Sequence, residues 1–353
     1  HSDELASWDI SYFSEKLKKE KFNLDEEELR PYLRLENVIK GVFDHARLLY
    51  ELEFEEVNDV PTYHPDVKVF SVTDRSENKY LGLLYTDFYP RKTKKGGAWM
   101  SALREQGLSE GKNRRPHVNI VCNFTKPTHT KPSLLTLDEV ETLFHEFGHA
   151  LHCLLSDCTY KSLSGANVYW DFVELPSQIM ENWVKEKEGL DIFARHWQTN
   201  EKIPTELVNN IRNSSRYLSG WSSLRQLQFG YLDMAWHSQD PNTIPSVGAF
   251  ENAITEKTRL LPSYEVANSS VSFSHIFSGG YSAGYYSYKW AEVLDADAFE
   301  FFKEKGLFNS EVSMSFMENI LSKGSTEHPM ELYKKFRGRE PDPKALLRRD
   351  GLL

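Results

Sequence analysis

The chain has 353 residues, and its 42 lysines and arginines against 52 aspartates and glutamates leave a formal charge of −10 at pH 7. Hydrophobic residues make up 40% of the chain and charged residues 27%, which is the balance of a globular protein with a packed core. The acidic charge argues against nucleic acid as a partner, and since no apolar run approaches the ~20 residues of a membrane-spanning helix, we expect no membrane-embedded segment either.

Residues 1–57 are predicted to be helical. The stretch from Trp8 to Lys19 has an amphipathic pattern. In the segment after Pro31, apolar residues recur at helical spacing, namely Val38, Val42, Ala46 and Leu49. Both patterns place apolar side chains on one face of a helix.

Residues 58–125 are predicted to form a small sheet of about three strands. The candidate strands are rich in β-branched and aromatic residues and are bounded by turn residues; they are Val67–Val72, Tyr80–Tyr89 and His117–Cys122. Gly96-Gly97 lies between the last two. Paired glycines permit a close approach of another backbone, although a simple loop is an equal alternative.

Residues 126–353 are predicted to be helical again, with a Gly/Tyr-rich interruption at 278–288 and a final helix pair that ends near Leu346. We find no internal repeat. The sheet occupies a modest part of the chain, so the predicted fold class is mainly α with a small β-sheet set into it.

The motif His145-Glu146-Phe147-Gly148-His149 matches H-E-x-x-H, which is typical of zinc peptidases. Thr136-Leu137-Asp138-Glu139 just before it is a capping box, and apolar residues follow at steps of three or four. This pattern predicts an amphipathic helix. Its polar stripe would carry Asp138, Glu141, His145, His149 and His152. A solvated face of a surface helix is the alternative.

Zinc binds neutral histidine nitrogens at ~2.0–2.1 Å, and an i, i+4 pair on a rigid helix supplies two corners of a tetrahedron. We therefore predict His145 and His149 as metal ligands. The carboxylate of Glu146 can lean towards a water at the open position, take its proton and deliver it to the leaving amine. A third protein ligand is needed.

The next candidate ligand lies in the run Asp171-Phe172-Val173-Glu174-Leu175-Pro176-Ser177-Gln178, where Glu174 follows His145 by 29 residues. That separation lets the first helix end and a second helix face back towards it. Glu174 is the predicted third ligand. The side chains predicted to orient the histidines from the same face are Asp171, Gln178 and Glu181. A salt-bridged surface is an equal alternative for the two acidic ones.

The segment from His275 to Tyr288 combines glycines at 279, 280 and 284 with four tyrosines. A phenol can donate a hydrogen bond to the oxyanion that forms when a peptide carbonyl is attacked. Packing is the more common role of such a stretch, so the residues alone leave both interpretations open.

Taken together, the motif at His145–His149, the run around Glu174 and the segment His275–Tyr288 resemble the thimet oligopeptidase family of zinc peptidases, family M3, of the oligopeptidase A and peptidyl-dipeptidase type. The likeness extends over all 353 residues and includes Tyr63–Val67 and Gly96–Trp99. It corresponds to the C-terminal catalytic half of the usual family length.

The resemblance implies a zincin-like catalytic domain over residues 1–353, with one zinc ion at the floor of a deep channel that admits short unfolded peptides. The implied zinc ligands are His145, His149 and Glu174. The implied catalytic residues are Glu146 as general base, Tyr288 as transition-state donor, and His275. The implied substrate contacts are Tyr281, Tyr285 and Gly97.

The expected activity is hydrolysis of short oligopeptides, by cleavage of internal bonds or by release of C-terminal dipeptides. A different hypothesis is a catalytically impaired peptide-binding fragment whose partner is the N-terminal half of the family length. Three cysteines are too few for a disulfide framework in a chain of this size. We therefore expect a cytoplasmic location, with a lost leader as the open alternative.

Overall fold

The computed structural model describes residues 5–262 and 268–353. Helices dominate these ranges, as the sequence predicts. The α-helices are α1 Ile10–Phe22, α2 Glu26–Leu29, α3 Leu35–Tyr50, α4 Leu137–Leu154, α5 Leu175–Glu181, α6 Lys187–Phe193, α7 Thr205–Ser214, α8 Ser219–Ser238, α9 Val247–Thr255, α10 Ser274–Phe277, α11 Ser287–Lys305, α12 Ser310–Phe316, α13 Pro329–Arg337 and α14 Pro343–Arg349.

The strands all lie between α3 and α4. They are β1 Leu52–Val57, β2 Lys68–Asp74, β3 Lys79–Asp87, β4 Trp99–Arg104, β5 Gly107–Ser109, β6 Lys112–Arg114 and β7 His117–Val121. Five of them form one sheet in the order β1-β2-β3-β7-β4, and β5 pairs with β6 in a separate hairpin. The β3–β7 pair is parallel and the other pairs are antiparallel.

The three predicted strands are confirmed as β2, β3 and β7, but the prediction that residues 1–57 are entirely helical is wrong at its end. There α3 stops at Tyr50, and Glu51 adopts a left-handed conformation with φ 56°. The chain then enters β1, whose sequence Leu-Glu-Phe-Glu-Glu-Val is half acidic. Edge strands commonly carry charged residues, which hides their strand pattern from sequence analysis. The other edge strand, β4, was missed as well.

The hydrophobic core lies between the sheet and the helices on its face. Phe144 and Phe147 of α4 are fully buried. Phe43 of α3 stacks on Phe54 of β1 with ring centroids 4.2 Å apart, and Phe147 packs 5.7 Å from the same Phe54 ring. Because aromatic side chains bury large apolar areas, these contacts fix α4 firmly against the sheet.

The first helix, α1, overlaps the amphipathic stretch predicted at Trp8–Lys19, yet none of its side chains is buried. Tyr12 is 62% exposed and Phe13 is 49% exposed. Among the helices of residues 5–262 and 268–353, none combines the length and apolar character that crossing a membrane requires.

Candidate active site

Helix α4 presents the H-E-x-x-H motif, and its start is defined by the predicted capping box. The hydroxyl of Thr136 accepts from the backbone N–H of Glu139 at 3.1 Å, while the Glu139 carboxylate accepts from the N–H of Thr136 at 2.9 Å. Two otherwise unpaired N–H groups of the first turn are satisfied in this way. With its apolar face buried, α4 turns His145 and His149 towards α5.

Helix α5 approaches α4 at Gly148, inside the motif itself. A Cβ atom at this position would lie 2.1 Å from the carbonyl oxygen of Pro176 and 2.6 Å from the Cα atom of Ser177. Only glycine therefore allows this crossing. The approach carries Glu174, which directly precedes α5 and is 2% exposed, to the two histidine rings.

His145, His149 and Glu174 form a group that could hold a metal ion. The Nε2 atoms of His145 and His149 lie 3.3 and 3.1 Å from the same oxygen, Oε2 of Glu174. Ligands at ~2.0–2.1 Å on neighbouring corners of a tetrahedron are spaced about 3.4 Å apart, so both distances to the Glu174 oxygen are close to the spacing in a zinc site. The side chains of His145 and His149 are 21% and 12% exposed, so both are partly accessible to solvent.

Neighbouring side chains hold the ligand atoms in this arrangement. The Nδ1 atom of His145 lies 2.7 Å from Oε1 of Glu181. Ser177 donates from its hydroxyl to Oε2 of Glu174 at 2.8 Å, and Tyr281 donates to Oε1 of the same carboxylate at 2.7 Å. A carboxylate on the far nitrogen of a histidine fixes the ring orientation and leaves Nε2 for the metal.

Glu146 is the general-base candidate and is 6% exposed. Burial raises the pKa of its carboxyl group, an effect that the neighbouring rings of His145 and His149 offset in part. In the described ranges no hydrogen bond ties this carboxylate to another group. A buried carboxylate with a raised pKa and free oxygens is suited to taking and returning a proton.

The tyrosine-rich segment borders the same group. The rings of Tyr281 and Tyr288 stack with centroids 4.9 Å apart, and the ring of Tyr285 lies 5.2 Å from that of Tyr288. Burial and the nearby charge of Glu174 raise the pKa of both Tyr281 and Tyr288. Both phenols therefore stay protonated and able to donate. The ring of His275 lies 6.3 Å from that of Tyr288, and its side chain is exposed.

Two residues predicted to orient the histidines do something else. The carboxylate of Asp171 accepts from the hydroxyl of Tyr286 at 2.9 Å, and the Gln178 amide donates to the backbone carbonyl of Tyr288 at 3.2 Å. Within residues 5–262 and 268–353, neither side chain bonds to a ligand, so that part of the prediction is wrong. Both side chains support the tyrosine segment instead, while the third candidate, Glu181, does contact a histidine.

Two other predictions need placing. Gly97 lies in the exposed loop before β4 with φ 88°, and its carbonyl accepts from the amide of Asn123 at 2.7 Å. Gly97 therefore lies just before the start of the edge strand β4.

His152, which helical spacing placed in the polar stripe, is fully buried, and burial lowers its pKa to about 3. The polar stripe therefore ends at His149, because the side chains of the last turn of α4 are buried in the core.

Sequence analysis missed two contributors to the site. Ser177 stands three residues after Glu174, and this helical spacing could have suggested a bond between them. The indole of Trp170 packs on Tyr281 with ring centroids 4.8 Å apart. For Trp170 no local signal existed, because the contact joins residues more than a hundred positions apart.

Comparison with known proteins identifies peptidases as relatives of this chain. The chain is 42% identical over 353 residues to oligopeptidase A of Escherichia coli, covering 99% of this chain and 52% of that protein. It is 40% identical to dipeptidyl carboxypeptidase of E. coli, covering 99% and 54%. Against an organellar oligopeptidase A of Arabidopsis thaliana the identity is 41%, covering all of this chain and 46% of the relative. The chain thus spans about half the length of these relatives.

The fold is also similar to that of Pyrococcus furiosus carboxypeptidase, with a TM-score of 0.52 at 14% identity, over 98% of this chain and 64% of that one. At this identity the similarity concerns the fold alone, which is that of zincin-like peptidases. The sequence profile of peptidase family M3 matches residues 1–352. With the H-E-x-x-H helix, the facing glutamate and this full-length match, the chain belongs to peptidase family M3.

Proposed function

We propose that this chain is the catalytic part of a zinc-dependent peptidase acting on short, unfolded peptides. The observation that carries the proposal is the convergence of two imidazole Nε2 atoms on one oxygen of Glu174, at 3.3 and 3.1 Å, beside the buried carboxylate of Glu146. His145, His149 and Glu174 would hold one zinc ion per chain. Membership in family M3 supports the peptidase activity.

Zinc bound there supplies a Lewis acid that polarises a peptide carbonyl and makes water more acidic. The remaining chemistry belongs to the chain. Glu146 takes a proton from the attacking water and delivers it to the leaving amine. Tyr288 donates a hydrogen bond to the oxyanion that develops on the carbonyl, with Tyr281 and His275 beside it. Since burial keeps the phenols protonated, the donor is available without a change of charge.

The edge strand β4 is the proposed place for the peptide backbone. It pairs with β7 on one side, and in the described part of the chain no strand pairs with its other edge. Met100 of β4 lies 4.0 Å from the thiol of Cys153 on α4, so this strand runs beside the ligand helix. An extended peptide can add to such an edge through main-chain hydrogen bonds. Gly97, Tyr281 and Tyr285 would then contact the substrate.

The experiment combines metal analysis with a cleavage assay on short peptides. Glu146→Gln should keep stoichiometric zinc but lose hydrolysis, because the base is gone while the ligands remain. His149→Ala should lose both. A Glu146→Gln protein with normal turnover, or a wild-type chain that binds no zinc, would contradict the proposal.

Two modes of cleavage stand within this proposal, internal cleavage and release of C-terminal dipeptides, and relatives named for each are about equally similar to the chain. A dipeptide-releasing enzyme must hold the free C-terminal carboxylate of its substrate. Comparing a peptide acid with its C-terminal amide separates the two. Equal cleavage of both would rule out dipeptide release.

A second candidate function is a peptide-binding fragment that needs the other half of its relatives for turnover. It is favoured by the half-length match and by apolar side chains exposed on two helices, α1 and α8, among them Tyr12 at 62% and Tyr231 at 58%. Adding the missing half in trans should then raise turnover strongly. Full activity of the chain alone would contradict this second candidate function.

The cytoplasmic location also stays a proposal, since relatives include both cytosolic and organellar types.

A further inference from the structure

The tyrosine loop, residues 279–286, precedes Tyr288 in the first turn of α11 and belongs to a small hydrophobic cluster separate from the main core. The buried members of this cluster are Leu232, Phe273 and Ile276, with Tyr281 and Tyr285 packed against it. The loop consists of turns rather than ladder hydrogen bonds. Something other than regular secondary structure must therefore fix the direction of its phenol groups.

That support is a buried carboxylate on α8. Asp233 is fully buried, and its Oδ1 and Oδ2 atoms accept from the backbone N–H groups of Ala283 and Tyr285, each at 2.9 Å. The Nδ1 atom of His237 lies 2.9 Å from the same Oδ1. We propose that Asp233 is a positioning residue, which clamps the tyrosine loop so that Tyr281 faces the candidate metal group and Tyr285 packs beside Tyr288.

The backbone between the two clamped amides shows why a clamp is needed. Ala283 has φ 53°, a left-handed conformation that costs free energy for any residue with a Cβ atom. Alternating right- and left-handed residues make a concave set of N–H groups that suits an anion, and the Asp233 carboxylate occupies it. Charge-assisted hydrogen bonds in a buried setting are strong enough to hold such a conformation.

The loop is held from its other side by Trp170. A Cβ atom on Gly284 would lie 2.8 Å from Cδ1 of this indole, so loop and ring are in close contact. The clamp and the indole together leave Tyr281 donating to Glu174 at 2.7 Å and place the ring of Tyr285 at 5.2 Å from Tyr288. The effect of the clamp on catalysis rests on the proposed function, whereas its effect on the conformation of the tyrosine loop does not.

Asp233→Asn is the first test, because it keeps the shape while its amide nitrogen opposes one of the backbone donors. The matched control is Glu251→Gln, since Glu251 is also buried nearby and accepts from two backbone N–H groups, those of Ser269 and Ser270. Hydrogen exchange is measured by mass spectrometry. We expect exchange over residues 281–288 to rise about 10-fold or more in Asp233→Asn and to stay unchanged in Glu251→Gln.

A second pair of variants leaves Asp233 in place. Ala283 is exposed, so replacing it does not threaten the fold. Ala283→Pro removes one clamped N–H and forbids φ 53°, whereas Ala283→Gly keeps both the donor and the conformation. We expect the proline variant to raise exchange over 281–288 and the glycine variant to retain protection. This pair decides the question even where Asp233→Asn fails to fold.

Kinetics connect the clamp to catalysis. We expect Asp233→Asn to lower kcat by about 10-fold or more with KM within about 2-fold and zinc content unchanged, while Glu251→Gln keeps kcat. Unchanged exchange over 281–288 in both Asp233→Asn and Ala283→Pro, or an equal fall in kcat in the control, would overturn the clamp. If the loop loses protection as expected but Glu146→Gln retains full cleavage, the clamp stands and the proposed function fails.

Discussion

At the scale of single residues, the site depends on which polar atoms are left free. Glu174 has both carboxylate oxygens engaged, by Ser177 and the two histidines on one side and by Tyr281 on the other. Glu146, the neighbour of His145 in the sequence, has no hydrogen-bond partner among the residues that the structure describes. Under the proposed function, the same side-chain type would serve as a fixed metal ligand at Glu174 and as a mobile proton carrier at Glu146.

Tyr288→Phe tests the oxyanion donor. Losing one such hydrogen bond should lower kcat by about 10²- to 10³-fold with little change in KM, because the bond strengthens only as charge develops. Steady-state kinetics on a short peptide measure the effect. Tyr286→Phe is the control two residues earlier, since its hydroxyl bonds to Asp171 and it is 48% exposed. Equal losses in both variants would contradict the assignment.

His45 carries a prediction on pH. It is fully buried among Phe144, Phe193 and Phe308, and burial lowers its pKa to about 4. In the unfolded chain His45 is protonated below about pH 6.5, whereas in the folded chain it is protonated only below about pH 4. Between these two pH values the proton therefore favours the unfolded state, and the stability of the folded chain falls as the pH falls. The part of this loss between pH 7 and pH 5 is about 2 kcal/mol.

His45→Leu should remove that part of the acid sensitivity. Urea denaturation of the variant and the wild type at pH 7 and at pH 5 gives the comparison. We expect the variant to lose about 2 kcal/mol less than the wild type between the two pH values. Equal losses of unfolding free energy in the variant and the wild type would contradict the lowered pKa of His45.

At the scale of elements, the decisive contact is the crossing of α4 and α5. The capping box sets the phase of α4, the buried aromatic side chains fix it on the sheet, and Gly148 lets α5 come close enough to deliver Glu174. Most of this could be predicted from periodicity and spacing. The start of α5 with Pro176 in its first turn also follows local rules, because proline is tolerated there.

Gly148→Ala should disturb this crossing. The added Cβ atom would meet a backbone oxygen that cannot move aside cheaply, so we expect a loss of about 2 kcal/mol or more in unfolding free energy and weaker zinc binding. Gly230→Ala is the control, since a Cβ atom on Gly230 in α8 meets nothing within 4 Å. It should stabilise the chain by about 0.5–1 kcal/mol, because alanine favours the helix. Denaturation and zinc titration of both proteins measure the contrast.

At the scale of the whole molecule, the candidate site lies where two hydrophobic clusters meet. The main core carries α4, α5 and the three candidate ligands, while the smaller cluster around α8 carries the tyrosine loop. Contacts across this boundary include the bond from Tyr281 to Glu174. Under the proposed function, residues on the main core would bind the metal, while Tyr281 and Tyr285, which pack on the smaller cluster, would contact the substrate.

Metal removal tests whether zinc stabilises the folded chain as a whole. Zinc that binds only the folded chain stabilises it by about 4 kcal/mol when free zinc exceeds Kd about 1,000-fold. Scanning calorimetry with and without a chelator should therefore show a lower Tm after chelation. His149→Ala should show the same Tm under both conditions. A wild-type Tm that is the same with and without the chelator would contradict zinc binding by His145, His149 and Glu174.

The sequence by itself determined the helix of the motif, its capped start and the pair of histidines, because these depend on residues within a few turns of one another. The facing glutamate, 29 residues after His145, was predicted from the need for a third ligand and from the family resemblance. The sequence also determined three strands of the sheet. The charged edge strand β1 escaped prediction, since its alternation is masked by glutamates whose positions only pairing with β2 explains.

Only the tertiary structure decided which side chains support the ligands and which support the tyrosines. Asp171 and Gln178 share a local run with Glu174, yet they serve the tyrosine segment, while the amides of that segment are held by Asp233 about fifty residues earlier. Hydrogen-bond partners are set by the packing of whole elements. Distances along the chain therefore carry little information about them once the separation exceeds a helix.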